Sequence, residues 1–233
     1  MRNPNQILPE VTEVAARVIV TDATIIGPTF RSARLVGTAL LVVMTLALAG
    51  VITACSGGSI AVPRPLSNAL STMQESGGYS FTATIATGAS TVTTIGNFQA
   101  PNRISQTVAS SGSTPVSMIL DGATVYVRDP STGVWSTKGS ATERSVDLRR
   151  TFAALGSPSS MSSDGSVYSF TLSEEATKQL AGSDATGSAE VTATVGAVGL
   201  SQLQYRVTAN GQTVTVTIDY RDVGTSPRVT IPV

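Results

Sequence analysis

Leu200-Ser201-Gln202-Leu203-Gln204-Tyr205-Arg206-Val207-Thr208-Ala209, then Asn210-Gly211, then Gln212-Thr213-Val214-Thr215-Val216-Thr217-Ile218-Asp219-Tyr220 is the stretch that decides the fold class. Two long alternating runs flank Asn-Gly, the pair best suited to the positive φ angles that a type I′ hairpin turn demands. In the returning run Val214, Val216, Ile218 and Tyr220 fall on one side, and Thr213, Thr215, Thr217 and Asp219 on the other. A strict period of two with one apolar side is the pattern of an antiparallel strand buried on a single face.

The same period runs through much of the chain upstream. Tyr79, Phe81, Ala83 and Ile85 alternate with Ser80, Thr82 and Thr84, and the segments Val92 to Phe98 and Arg103 to Val108 continue in that style across the turn signal Ala100-Pro101-Asn102. Val116 to Leu120 and Ala123 to Arg128 read as a second hairpin, with Asp121-Gly122 as its type I′ turn. Helical spacing breaks in three times. Leu66, Ala69, Leu70 and Met73 predict a helix over 65–76 that stops at Ser76-Gly77-Gly78. Ser145 is the expected cap of a second, with Val146, Arg149, Phe152 and Ala153 at helical spacing and Gly156 at C′. Ser173-Glu174-Glu175 opens a third, ending at Leu180-Ala181-Gly182, where the two glutamates read as first-turn charges favoured by the helix dipole. The expected class is α+β: a twisted antiparallel sheet with about three short helices on one face. Gly156 to Gly165 reads as low complexity, and the long closing strands are expected to leave a sheet edge free to pair.

Composition excludes several kinds of chemistry. The 233-residue chain has no histidine and one cysteine, so neither a Ser-His-Asp triad nor a zinc site of His or Cys type can be assembled. G-x-S-x-G, Walker A and EF-hand patterns are missing from the sequence, and Ser173 and Lys178 are too far apart in register for a serine–lysine pair. Asp121, Asp129, Asp164, Asp219 and Asp222 fall in turns or near strand ends rather than as a convergent acid pair. We expect no catalytic residue, no metal and no cofactor. Fifteen basic and fifteen acidic residues balance, and four arginines but only three acids precede residue 55. One net negative charge remains after it, which argues against a nucleic-acid partner.

The single cysteine gives the address. Leu35 to Ala54 is an uncharged apolar run preceded by Arg31 and Arg34, and it closes as Ile52-Thr53-Ala54-Cys55. That ending resembles the bacterial lipobox, in which the bond between Ala54 and Cys55 would be cut and Cys55 would carry a diacylglyceryl anchor with palmitate-type chains. Residues 1–54 are then an N-terminal extension with a lipoprotein signal peptide, 55–64 the lipidated cysteine and a Ser/Gly tether, and 65–233 one folded domain. A run of roughly 20 apolar residues also suffices to span a bilayer, so a plain membrane helix is the alternative. Either way the arginines place the chain after residue 55 on the extracytoplasmic face of the cell membrane. Residues 1–30, with Pro4, Pro9 and Pro28, read as a cytoplasmic extension or as the result of an early start codon.

Beyond the anchor, the chain resembles the LolA/LppX-type lipoproteins. The resemblance rests on the short helix after the tether, Gly78-Tyr79-Ser80-Phe81-Thr82, and Gly96-Asn97-Phe98-Gln99-Ala100-Pro101-Asn102-Arg103-Ile104. It continues in Leu120-Asp121-Gly122-Ala123-Thr124-Val125-Tyr126-Val127 with Gly133-Val134-Trp135, and in Ile218-Asp219-Tyr220 with Pro227 to Pro232 as closing strands. It implies a half-barrel sheet wrapped over helices on its concave face, an apolar cavity between them, and binding or transfer of a lipid or acylated molecule. The expected lining is Phe81, Ile85, Val125, Val127, Leu203, Tyr205, Val214, Val216 and Ile218 from the sheet, facing Phe152 and Leu155 from a helix. The low aromatic content favours an aliphatic lining. The alternative is a lipid-tethered interaction or sensor module with a filled core and an envelope protein as its partner. Cavity volume separates the two, because a carrier needs several hundred Å³.

Overall fold

Alternating segments of this chain become strands because one side of each is apolar and the other is threonine, serine or charge. The computed structural model describes residues 60–140, 148–225 and 227–232. Ala54, Cys55, the tether up to residue 59, and Ser145 and Val146 lie outside the described residues. The strands are β1 (Gly78–Thr87), β2 (Ser90–Gln99), β3 (Arg103–Ser110), β4 (Val116–Asp121), β5 (Thr124–Arg128) and β6 (Trp135–Ser140), followed by β7 (Pro158–Asp164), β8 (Val167–Leu172), β9 (Ala185–Val195), β10 (Leu200–Ala209) and β11 (Gln212–Arg221). They form one open sheet, in the order β6-β5-β4-β3-β2-β1-β11-β10-β9-β8-β7. Every adjacent pair is antiparallel. Two meanders, β1–β6 and β7–β11, are fused where Ser80 to Thr87 lie opposite Arg221 to Val214. The fold is therefore mostly β, with three helices among the described residues. The closing strands β10 and β11 are central, not the free edge their length and position suggested; the outermost strands are β6 and β7.

The helices are α1 (Arg64–Glu75), α2 (Arg149–Ala154) and α3 (Glu174–Ala181). α1 buries Leu66, Ala69, Leu70 and Met73, the stripe its spacing predicts, and it begins one residue inside the expected tether. Leu148, not Ser145, holds the N-cap position of α2 and offers no capping side chain. The N–H groups of Leu155 and Gly156 return to the carbonyls of Phe152 and Ala153, so a tight last turn ends α2 in place of a left-handed glycine cap. α3 is built as expected: Ser173 Oγ accepts the Ala176 N–H at 3.3 Å, and Gly182 closes the helix at φ 101°. Lys178 Nζ donates to Glu174 Oε1 at 2.6 Å, four residues apart, which absorbs both groups structurally.

Turns divide into those read correctly and those shifted. Asn210 and Gly211 take φ 50° and 74° between the pair Ala209–Gln212, the I′ pattern. In the other hairpin Asp121 pairs with Thr124 as part of the strands, so the loop is Gly122-Ala123. Only Gly122 has positive φ there, which is the II′ pattern and not the expected I′. Gly156 to Gly165 contains β7, whose serines are exposed and bond across to β8, Ser160 Oγ to Thr171 Oγ1 at 3.1 Å. Only Pro158 is buried, so no apolar alternation marks this strand. Residues 227–232 form no strand; Val229 is buried and its N–H donates to Gln99 Oε1 at 2.9 Å.

Two outcomes test these assignments. Gly211→Ala puts a Cβ into left-handed backbone and is expected to cost about 1–2 kcal/mol in urea unfolding, with Ala123→Ser near zero. In the β5–β6 loop, Asp129 accepts hydrogen bonds from Ser131 Oγ at 2.6 Å, Ser131 N at 2.8 Å and Thr132 N at 3.0 Å. These bonds, the Ser131 hydroxyl foremost, lower its pKa from 3.8 to about 2. A depressed carboxyl contributes its stabilisation above the unfolded value and loses it as pH falls through the folded one. An NMR titration should therefore place the Asp129 midpoint at about 2, and Ser131→Ala should move it up towards 3.8.

Candidate functional site

The face of the sheet that carries the apolar side chains meets the helices over an aromatic nest. Tyr79 on β1 is its hub: its ring centroid lies 5.1 Å from Phe98, 5.4 Å from Tyr220, 6.1 Å from Phe152 and 6.4 Å from Phe81. Phe152 on α2 lies 5.7 Å from Tyr220. Most of these pairs are edge-on, the arrangement favoured by the ring quadrupole. Beside this nest is a partly enclosed pocket lined by Tyr79, Phe81, Ala83, Leu148, Thr151, Phe152, Leu180, Tyr205, Ile218 and Tyr220. Across the fusion of the meanders Phe81 lies opposite Tyr220 and Ala83 opposite Ile218, so both halves of the sheet supply its floor. α2 supplies the roof with Thr151 and Phe152, and α3 adds Leu180.

Of the eleven expected lining residues, the pocket brings together Phe81, Phe152, Tyr205 and Ile218. Ile85, Val125, Leu155, Leu203, Val214 and Val216 are buried in the core outside it, and Val127 is half-buried against that core. Tyr79, Ala83 and Tyr220 were readable from the same strand alternation that marked Phe81 and Ile218. Leu148, Thr151, Phe152 and Leu155 stand at i, i+3, i+4 and i+7, a signal that one face of this segment is turned inward. Aromatic residues make up half of the lining, more than the expected aliphatic character allows: two of the five phenylalanines and three of the five tyrosines are in it, beside Ala83, Leu148, Leu180 and Ile218.

Its volume is about 40 Å³, where one water needs roughly 10–15 Å³ on the same measure. That is room for a few waters and not for an acyl chain. Apart from the tyrosine phenols the lining has no ionisable group. Burial pushes the Tyr205 hydroxyl well above its ordinary range, and burial together with the neighbouring Tyr79 and Tyr205 does the same for Tyr220. Both phenols stay neutral at any physiological pH. Among the described residues no group of three Asp, Glu, Cys or His side chains converges as a metal site would require. The arrangement offers an apolar surface with phenolic hydroxyls and nothing that activates a nucleophile or moves a proton.

Phe152 joins α2 to the sheet through Tyr79 and Tyr220, so Phe152→Ala is expected to cost about 3–5 kcal/mol in denaturant unfolding. A loss below about 1 kcal/mol would mean that other contacts hold α2 in place. Searches with the whole chain find no family model that matches it and no curated protein that is significantly similar.

Proposed function

We propose that this chain is a membrane-anchored envelope lipoprotein, held through acylated Cys55, that binds or transfers a lipid or acylated molecule between sheet and helices. The observation that carries the reading is the apolar, uncharged pocket at the junction of β1, β11 and α2. The fold of the proposal is a half-barrel with the helices on its concave face, as the resemblance to the LolA/LppX-type lipoproteins implies. Binding of this kind needs no reactive group, since each acyl methylene taken from water contributes roughly 0.8 kcal/mol. At about 40 Å³ the pocket would have to open to several hundred Å³ to take an acyl chain, and in this reading α2 is the element that moves. It has six residues, packs against α1 and α3, and has no side-chain cap at its start.

That same volume favours a second reading, a tethered interaction or sensor module whose interior stays filled and which docks an envelope protein. Native mass spectrometry of the full chain separates the two after expression in a lipobox-processing bacterium and release from detergent. The carrier reading expects loss of residues 1–54, a diacylglyceryl mass on Cys55, and a further non-covalent acyl lipid. Ile218→Trp, which fills the pocket from its half-buried floor, should remove the second lipid and leave the first. A processed chain that carries only its covalent anchor, and stays so after incubation with envelope lipids, would establish the docking module.

A further inference from the structure

Two polar side chains on the helix-bearing face of the sheet bond to nothing among the described residues. Thr94 on β2 and Gln106 on β3 are 1% and 3% exposed. Among the described residues the Thr94 hydroxyl and both ends of the Gln106 amide have no hydrogen-bond partner. Buried orphans of this kind are few in native proteins, and each costs free energy that an apolar residue of the same shape would not. Here they are neighbours. Gln106 lies opposite Gly96 and Thr94 opposite Val108, so the two residues sit diagonally on one face of the β2–β3 ladder.

They also adjoin the pocket. Thr94 lies opposite Ala83, and Gly96 opposite Phe81, both of which line it. A Cβ on Gly96 would stand 2.7 Å from Phe81 Cζ and 3.0 Å from Gln106 Cβ. The missing side chain at Gly96 thus lets the Phe81 ring tip lie beside the stem of Gln106. Phe81 is the partition between the apolar pocket and the orphan pair.

We propose that Thr94 and Gln106 are the polar anchor of the acyl-ligand cavity, a deepening that rests on the carrier reading above. The chemistry of the pair selects the ligand class. Gln106 leaves a donor and an acceptor free, and the Thr94 hydroxyl is both. The buried residues of the described structure include no charged side chain to neutralise an ion; Arg103 and Asp121 pair with each other on the opposite face of β3 and β4. A fatty carboxylate would bring uncompensated charge, and a hydrocarbon would leave the orphans unsatisfied. The fitting class is a neutral acyl lipid with a carbonyl acceptor beside a hydroxyl donor, as in a monoacyl- or diacylglycerol.

The test uses the full chain in phospholipid nanodiscs and two photoreactive probes: a monoacylglycerol with a diazirine in its chain, and an alkane with the same diazirine. Covalent yield is read by intact mass and the site by peptide mapping. Wild type should be labelled by the monoacylglycerol at Phe81 or its neighbours. The Thr94→Val/Gln106→Leu double variant should lose about tenfold of that yield, the worth of one to two hydrogen bonds, and keep its alkane yield. The same variant should melt higher by roughly 2–4 °C, because it removes orphans from the unliganded interior. Equal monoacylglycerol labelling of variant and wild type, or a lowered Tm, overturns the anchor and leaves the carrier standing. Failure of both probes to label wild type in the pocket overturns the carrier reading and the anchor with it.

Discussion

The pairing of the first strand with the last holds this structure together. β1 follows α1 directly and β11 is the final strand, yet they lie side by side from Ser80–Arg221 to Thr87–Val214. Each meander alone could form from local hairpins, but Phe152 of α2 packs on both, against Tyr79 on β1 and Tyr220 on β11. Closing the seam requires a loop of more than a hundred residues, a cost that grows only slowly with length, and it fuses eleven strands into one surface. A small polar clamp sits at its end. Ser76 is buried where α1 gives way to β1; its hydroxyl bonds the Gly78 carbonyl at 2.6 Å and accepts the N–H of Gly224 at 3.2 Å, just past β11. One side chain thus fixes the entry to the first strand and the exit from the last.

The pocket is a product of that seam. Its floor pairs Phe81 with Tyr220 and Ala83 with Ile218, so no residue of one meander alone defines it. Small residues set the packing: Ala83 lines the pocket in a row of larger neighbours, and Gly96 leaves room for the tip of the Phe81 ring. The aromatics shape it. The chain has few of them, but Tyr79, Phe81, Phe98, Phe152 and Tyr220 are linked through one hub. Low aromatic content therefore says little about a lining when the few rings present are gathered at one junction.

Much of this was legible in the amino-acid sequence where a single physical signal dominates. Period two marked β1 to β5, β10 and β11, helical spacing marked α1 and α2, the cap Ser173 and the stop Gly182 marked α3, and Asn210-Gly211 announced its turn type. β8 and β9 also carry period two, in Tyr168, Phe170 and Leu172 and in Ala189, Val191 and Ala193, although no strand was expected there; the rest of what escaped depends on partners rather than on local pattern. β7 has exposed serines and one buried proline, so only pairing with β8 makes it a strand. The shift of the β4–β5 turn by one residue follows from the Asp121–Thr124 pair, which no dipeptide preference encodes. The central place of β10 and β11 follows from β1, more than a hundred residues away. For the pocket, alternation identified the correct face but not which buried residues border a gap, because Ile85, Val214 and Val216 carry the same pattern as Phe81 and Ile218.

The distribution of rule-breaking residues along that face is uneven, and this bears on what the interior is for. Over most of it, packing and pairing agree: apolar side chains interlock, and polar ones turn outward or bond. Around Ala83, Thr94, Gly96 and Gln106 they do not agree. Ala83 borders the pocket, the Phe81 ring takes the space at Gly96, and beside them two buried polar side chains have no partner among the described residues. A core selected only to be filled gains from a leucine at Gln106 and a valine at Thr94, since each swap removes a desolvation cost and keeps the shape. Locally inconsistent choices in natural sequences concentrate where function is exerted. That the inconsistency borders the aromatic pocket, separated from it by one phenylalanine ring, argues that pocket and orphan pair are two ends of one ligand-taking region.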